Sequence, residues 1–295
     1  MQNTPEILVD FFRPELPSNT IYHVGVSGGK DSGAVLLWMV HKSGIPRHQI
    51  NATFCDTGNE HEWTYEQVRI LSKIHPIETL YPDLDFYDLV RKKGVFPSAR
   101  RRFCTEHLKI RPSQDHIQYL KEAHDCVVAV SGVRGNESAD RATYLEWDFS
   151  GHLLTLQWRP LIAWKFEDVL AIHREFDVPM NKLYDLGAER VGCYPCINSR
   201  KKEIRTIALN FPDRIDRIRD LENELWLSGK TPSFFHSAMI PERYRTRPFV
   251  TKDGEAMNVA RIDDVVEWSM TGKRAKGSYL DDAPEPISCS SGFCE

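Results

Sequence analysis

No stretch of the 295 residues approaches the roughly 18 consecutive apolar residues of a membrane-spanning helix, so neither a span nor a membrane partner is expected. The first 17 residues lack the basic-then-apolar pattern of a secretory leader, because Glu6, Asp10 and Glu15 interrupt them. The expectation is a cytoplasmic protein. Positive charge is not in excess either. A formal net charge of -4 argues against a protein that grips nucleic acid with its whole surface. Seven cysteines is an odd number, which fits poorly with a closed disulfide framework. The eleven histidines show no metal-ligand spacing, and there is no internal repeat.

What the chain does have is alternation. Tyr22 to Val26, Ile50 to Cys55, Ile77 to Leu80 and Cys126 to Ser131 read as strands, and Leu153 to Gln157 as one more. Between them, Asp31 to His41, Trp63 to Ile74, Leu108 to Ala123 and Lys165 to Phe176 have helical spacing. Strands alternating with helices predict an α/β fold, a parallel sheet with helices on both faces. Beyond Pro179 the pattern is helical but irregular, with a charged helix near Asp213 to Leu227 and a tail rich in Gly, Ser, Pro and acid. The division expected is a nucleotide-binding domain over 1–178 and a mainly helical C-terminal extension over 179–295.

The segment Ser27-Gly28-Gly29-Lys30-Asp31-Ser32 lies directly after a strand and before a helix. A glycine pair there exposes backbone N–H groups at the positive end of the helix dipole, which makes an anion site. Lys30 adds a point charge for a phosphate, Asp31 could hold Mg²⁺ through water, and the Ser27 and Ser32 hydroxyls could donate to phosphate oxygens. It is not a Walker-type loop, which needs Gly where Val24 stands and Ser or Thr where Asp31 stands. It is not a dinucleotide Gly-x-Gly-x-x-Gly turn either.

Ser27 to Ser32 resembles the pyrophosphate loop of the N-type ATP pyrophosphatases, which adenylate a substrate and release pyrophosphate. The resemblance implies an adenine-nucleotide alpha-hydrolase-like fold with ATP and Mg²⁺ as cofactors. More specifically, the chain is similar to the phosphoadenosine phosphosulfate reductase-like family, including the ATP pyrophosphatases of DNA phosphorothioation. Four further segments carry this likeness: Asp56-Thr57-Gly58-Asn59-Glu60, Arg102 to Pro112 around Cys104, Gly132 to Ser138 with Arg141, and Gly192-Cys193-Tyr194-Pro195-Cys196. Intact Lys30 and Asp31 favour ATP cleavage over sulfonucleotide reduction. On this resemblance Lys30, Asp31 and Arg134 are the expected catalytic residues, with Asp56 near adenosine and Arg141 a further phosphate or substrate clamp. As simpler readings, Asp56 is a turn residue and the arginines are paired with Glu137 and Asp140.

Cys193-x-x-Cys196 can share a metal or cycle as a disulfide. With Cys104, and Cys289 or Cys294 from the tail, the resemblance implies a 4Fe-4S cluster, with zinc as the alternative. Where some relatives have two adjacent cysteines, this chain has Cys104 followed by Thr105. Cys55 and Cys126 sit within apolar strands and are expected in the core. Sulfur transfer is the implied chemistry, with a sulfur donor such as a cysteine desulfurase and an acceptor that could be DNA. The basic clusters at Arg91-Lys92-Lys93, Arg100 to Arg102, Arg200 to Lys202 and Arg243 to Arg247 would suit a nucleic-acid backbone, and are otherwise solvated faces. Two alternatives stand beside this reading: a sulfonucleotide reductase, and a non-catalytic nucleotide- or DNA-binding accessory protein.

Overall fold

A computed structural model describes residues 14–229, 233–235, 239–250 and 254–271. The elements run β1 (Thr20–Gly25), α1 (Lys30–His41), β2 (Ile50–Cys55), α2 (Glu62–Ser72), β3 (Ile77–Leu80), α3 (Phe86–Lys93), α4 (Phe103–Thr105), α5 (Arg111–Leu120) and β4 (Cys126–Val130). Then follow β5 (Trp147–Ser150), β6 (Thr155–Trp158), α6 (Phe166–Glu175), α7 (Lys201–Asn210), α8 (Pro212–Leu227), β7 (Arg247–Val250), β8 (Ala256–Val259) and α9 (Ile262–Ser269). The first six strands form one sheet in the order β3-β2-β1-β4-β6-β5. Only β5 runs antiparallel, against β6.

The apolar runs of β1 and β4 exist because both sheet faces are covered. Val24, Val128 and Val130 pack with α1 and α6 on one face, whereas Ile21, Val127 and Ala129 pack with Ile117 and Leu120 of α5 on the other. Helix α1 is apolar nearly all round, and Val35, Leu36, Leu37 and Met39 have no exposed surface. A third core joins α3 and Leu108 to α7, α8 and α9, so it draws on residues either side of position 178.

Two predicted elements are displaced. The helix expected from Leu108 begins at Phe103 and passes through a π-helical turn at Glu106–Ile110 before α5. Pro112, which has no N–H to donate, sits in the first turn of α5, where a missing donor costs least. The last strand starts at Thr155 rather than Leu153, because Leu154 turns the chain with φ +53°. Four described elements have no counterpart in the sequence reading, α3, β5, β7 and β8, whereas α7 and α9 fall in the stretch expected to be helical.

Candidate nucleotide site

The loop between β1 and α1 lies at the C-terminal edge of the parallel strands, where ligands bind in open α/β sheets. Gly28 has φ +78°, and a Cβ there would meet Thr64 Cγ2 at 2.8 Å, so the turn and its contact with α2 both require glycine. The Ser32 hydroxyl stitches the loop together: it accepts from the Ser27 amide at 3.1 Å and donates to the Gly29 carbonyl at 3.1 Å. Three distant groups hold the loop from outside. Tyr184 Oη accepts from the Lys30 amide at 3.0 Å, His173 Nε2 meets the Lys30 carbonyl at 2.8 Å, and Asn181 Nδ2 donates to the Gly28 carbonyl at 3.3 Å.

Asp31 is fully buried and takes one cation on each oxygen: Lys30 Nζ on Oδ2 at 2.5 Å and Arg134 Nε on Oδ1 at 2.5 Å. Arg134, delivered by the segment after β4, also donates to Asn136 Oδ1 at 2.6 Å. The Arg134 amide donates to Glu137 Oε2, and Arg141 donates to the same carboxylate. Lys30, Asp31, Arg134, Glu137 and Arg141 thus form one continuous ionic chain. Asp56 stands at the end of β2 in a turn, accepting from the Gly58 amide at 2.9 Å and the Tyr65 hydroxyl at 2.7 Å.

A cleft opens beside the loop. Ser27 and Ser32 line it, together with Phe54, Glu60, Lys109 and Gly132. A second cavity shares Lys109 and Gly192 with the first. Its wall carries Cys104, Cys193 and Cys196, and the cations Arg102, Lys109 and Arg190. The segments bearing Glu60 and Cys193 are zipped together: the Tyr194 amide donates to the Asn59 carbonyl at 2.7 Å, and Asn59 Nδ2 to the Pro195 carbonyl at 3.0 Å. Burial raises the Glu60 carboxyl above the usual range, with the Lys109 charge and the Thr57 hydrogen bonds opposing. Enclosure pushes the Cys193 thiol well above its ordinary range, so it is protonated at neutral pH.

Two expected metal groups can be set against these residues. The three cysteines face one cavity, but among the described residues no three His, Cys, Asp or Glu side chains converge to hold a metal. The expected fourth ligand, Cys289 or Cys294, lies outside the described residues. Both carboxylate oxygens of Asp31, expected to hold Mg²⁺ through water, are paired with cations, Lys30 on Oδ2 and Arg134 on Oδ1. Cys55 and Cys126 stand half-buried on their strands, and burial raises both thiols.

The sequence reading included Gly132 in a segment that carries the family likeness, but gave no role to Lys109, His173, Asn181 or Tyr184. Lys109 lies within the Arg102 to Pro112 segment, but no local pattern marks it. The other loop supports are separated from the loop by a hundred residues or more, with no spacing signal.

The profile of the phosphoadenosine phosphosulfate reductase domain matches residues 21–199. An uncharacterized 37.8 kDa protein of Escherichia phage 186 is 30% identical over 94% of this chain and 97% of its own length. Adenosine 5'-phosphosulfate reductase 2 of Bacillus subtilis is 29% identical over 56% of this chain and 67% of its own. Among solved structures, the phosphoadenylyl-sulfate reductase of Candida auris, in a phosphate complex, superposes with a TM-score of 0.47 at 19% identity, covering 61% of this chain and 83% of that one.

Proposed function

The chain belongs to the phosphoadenosine phosphosulfate reductase domain family, and from that premise we propose that it is an ATP pyrophosphatase that adenylates an acceptor. The observation that carries the proposal is the loop Ser27 to Ser32, with the Lys30–Asp31–Arg134 ion cluster at the start of α1. An acceptor oxygen forms a bond to the α-phosphorus as the bond from that phosphorus to the bridging oxygen breaks, and pyrophosphate leaves. Negative charge grows on the leaving group, and Lys30, Arg134 and the helix dipole of α1 would stabilise it. Mg²⁺ supplies further charge neutralisation when bound to the phosphates.

The second cavity extends the proposal to sulfur transfer. Its three thiols and three cations adjoin the nucleotide cleft through Lys109 and Gly192, which suits an activated intermediate meeting a sulfur species. DNA is one candidate acceptor, and a cysteine desulfurase one candidate donor. The site of action proposed is the cytoplasm; among the described residues no helix is long and apolar enough to cross a membrane.

A second reading has a specific observation behind it. The likeness to an adenosine 5'-phosphosulfate reductase, together with thiols beside the cleft, favours reduction of a sulfonucleotide. Anaerobically purified protein given ATP and Mg²⁺, with and without DNA, separates the two. Pyrophosphate release supports the first, and thioredoxin-dependent sulfite from a sulfonucleotide without pyrophosphate release supports the second.

A further inference from the structure

The loop aspartate stands where a metal ligand would be sought, yet its surroundings are those of a counter-ion. Asp31 has no exposed surface, and the side chains of Lys30 and Arg134 are 12% and 6% exposed. A divalent ion placed on either carboxylate oxygen would sit next to a cation already bound there, and like charges at that distance repel strongly. The rest of the architecture fixes the same arrangement. Gly132 abuts the Asp31 backbone, which brings the chain after β4 against the first turn of α1. Two residues on, Arg134 is also gripped by Asn136 and lies 3.8 Å from Glu137. Lys30 and Arg134 therefore come from two different strand ends and meet only through the aspartate between them.

We propose that Asp31 is a positioning residue and not a Mg²⁺ ligand: it locks Lys30 and Arg134 into a preassembled cation pair for the nucleotide's phosphate chain. The metal then arrives on the nucleotide, and the protein holds none at this loop beforehand. Preassembly matters because a free lysine and arginine lose much side-chain freedom on meeting a phosphate, whereas a pair already fixed loses little. The inference rests on the nucleotide-binding part of the function proposed above, and it assigns the loop's charge to protein cations.

The test is a double-mutant cycle on ATP affinity, measured by titration calorimetry on the full chain in EDTA and again in excess Mg²⁺. In the wild-type background Arg134→Ala is expected to weaken ATP binding at least about tenfold, and in the Asp31→Asn background less than about twofold. The Mg²⁺ concentration for half-maximal tightening of ATP binding should be the same in wild type and Asp31→Asn. Equal effects of Arg134→Ala in both backgrounds, or a Mg²⁺ requirement raised about tenfold in Asp31→Asn, would overturn the proposal. A second measurement needs no variant: Mn²⁺ titrated into nucleotide-free wild type, followed by its electron paramagnetic resonance, should show no stoichiometric site. Stoichiometric Mn²⁺ binding displaced by Mg²⁺ and quenched by no other change would instead make Asp31 a ligand if Asp31→Asn abolishes it. Wild-type protein that fails to bind ATP under either condition would remove the nucleotide reading itself, a result separate from an additive cycle.

Discussion

Gly132 faces the backbone of Asp31 so closely that a Cβ on it would lie 2.5 Å from the Asp31 carbonyl oxygen and 2.7 Å from its carbonyl carbon. Backbone on both sides leaves no flexible side chain to yield. Gly132→Ala is therefore expected to push the start of α1 away from β4, at a cost of about 1–3 kcal/mol in stability. Because the same contact seats Asp31 against Arg134, ATP affinity should fall as well. Denaturant unfolding and ATP titration of the variant check both effects; unchanged midpoint and affinity would mean that the contact is slack.

His23, on β1, makes stability depend on pH. It has no exposed surface, its Nδ1 lies 3.3 Å from Asn51 Oδ1, and the tilted ring of His116 lies beside it with centroids 5.4 Å apart. Burial, reinforced by His116 and opposed by the Asn51 hydrogen bond, lowers its pKa from 6.5 to about 4. The unfolded chain thus binds the proton more readily than the folded one between about pH 4 and 6.5. Stability from this group is full above pH 6.5 and is lost as the pH falls through that window, by roughly 3 kcal/mol at most. His61, His107 and His116 are also lowered and steepen the same slope. Unfolding free energies measured from pH 7.5 to 4.5 for wild type and His23→Gln isolate the contribution: the wild-type slope should be steeper by up to one proton. Identical slopes would place the ring in water.

The thiol of Cys193 should be slow. The thiolate is the reactive form, and enclosure beside Glu60 keeps this thiol protonated. Alkylation with iodoacetamide at pH 8, followed by peptide mass spectrometry, is expected to label Cys193 at least about tenfold more slowly than in the denatured chain. Labelling as fast as in denaturant would show an open, ionised thiol.

Asn181 tests the loop's support from beyond α6. Its Nδ2 donates to the Gly28 carbonyl and its Oδ1 accepts from the Leu183 amide at 3.0 Å. Asn181→Ala leaves two buried backbone groups without these partners, which costs about 1–3 kcal/mol. Weaker ATP binding together with a lowered but still cooperative thermal transition is the expected signature, and loss of stability alone would mean that the loop does not depend on this link.

The parts of the fold read from sequence are those whose signal is local. Strands β2 and β3 fall where the apolar runs place them, because Ile50 to Cys55 and Ile77 to Leu80 end in turn residues. Helix α3 went unread although it is locally marked, by the Asp85 cap, the apolar face of Phe86, Tyr87, Leu89 and Val90, and Gly94 at its left-handed end. Strand β5 carries no such mark: only Trp147 and Ser150 of its four residues are buried, so alternation fails. Helix α9 owes its place to Trp268 and Val265 packing into a core built with α3 and α8, a contact no window of sequence contains. The site divides in the same way. The loop is contiguous and visible, and its ionic partner Arg134 was expected through the family resemblance, whereas its supports Tyr184 and His173 come from other elements, more than a hundred residues away.

Pyrophosphate release from ATP and Mg²⁺ by wild type and Lys30→Ala, with ATP binding measured on both proteins, tests the central claim most directly. The account predicts release by wild type and a loss of about a hundredfold or more in the variant, since one cation aimed at the leaving group contributes on that scale. No release by wild-type protein that binds ATP, or equal release by Lys30→Ala, would contradict it.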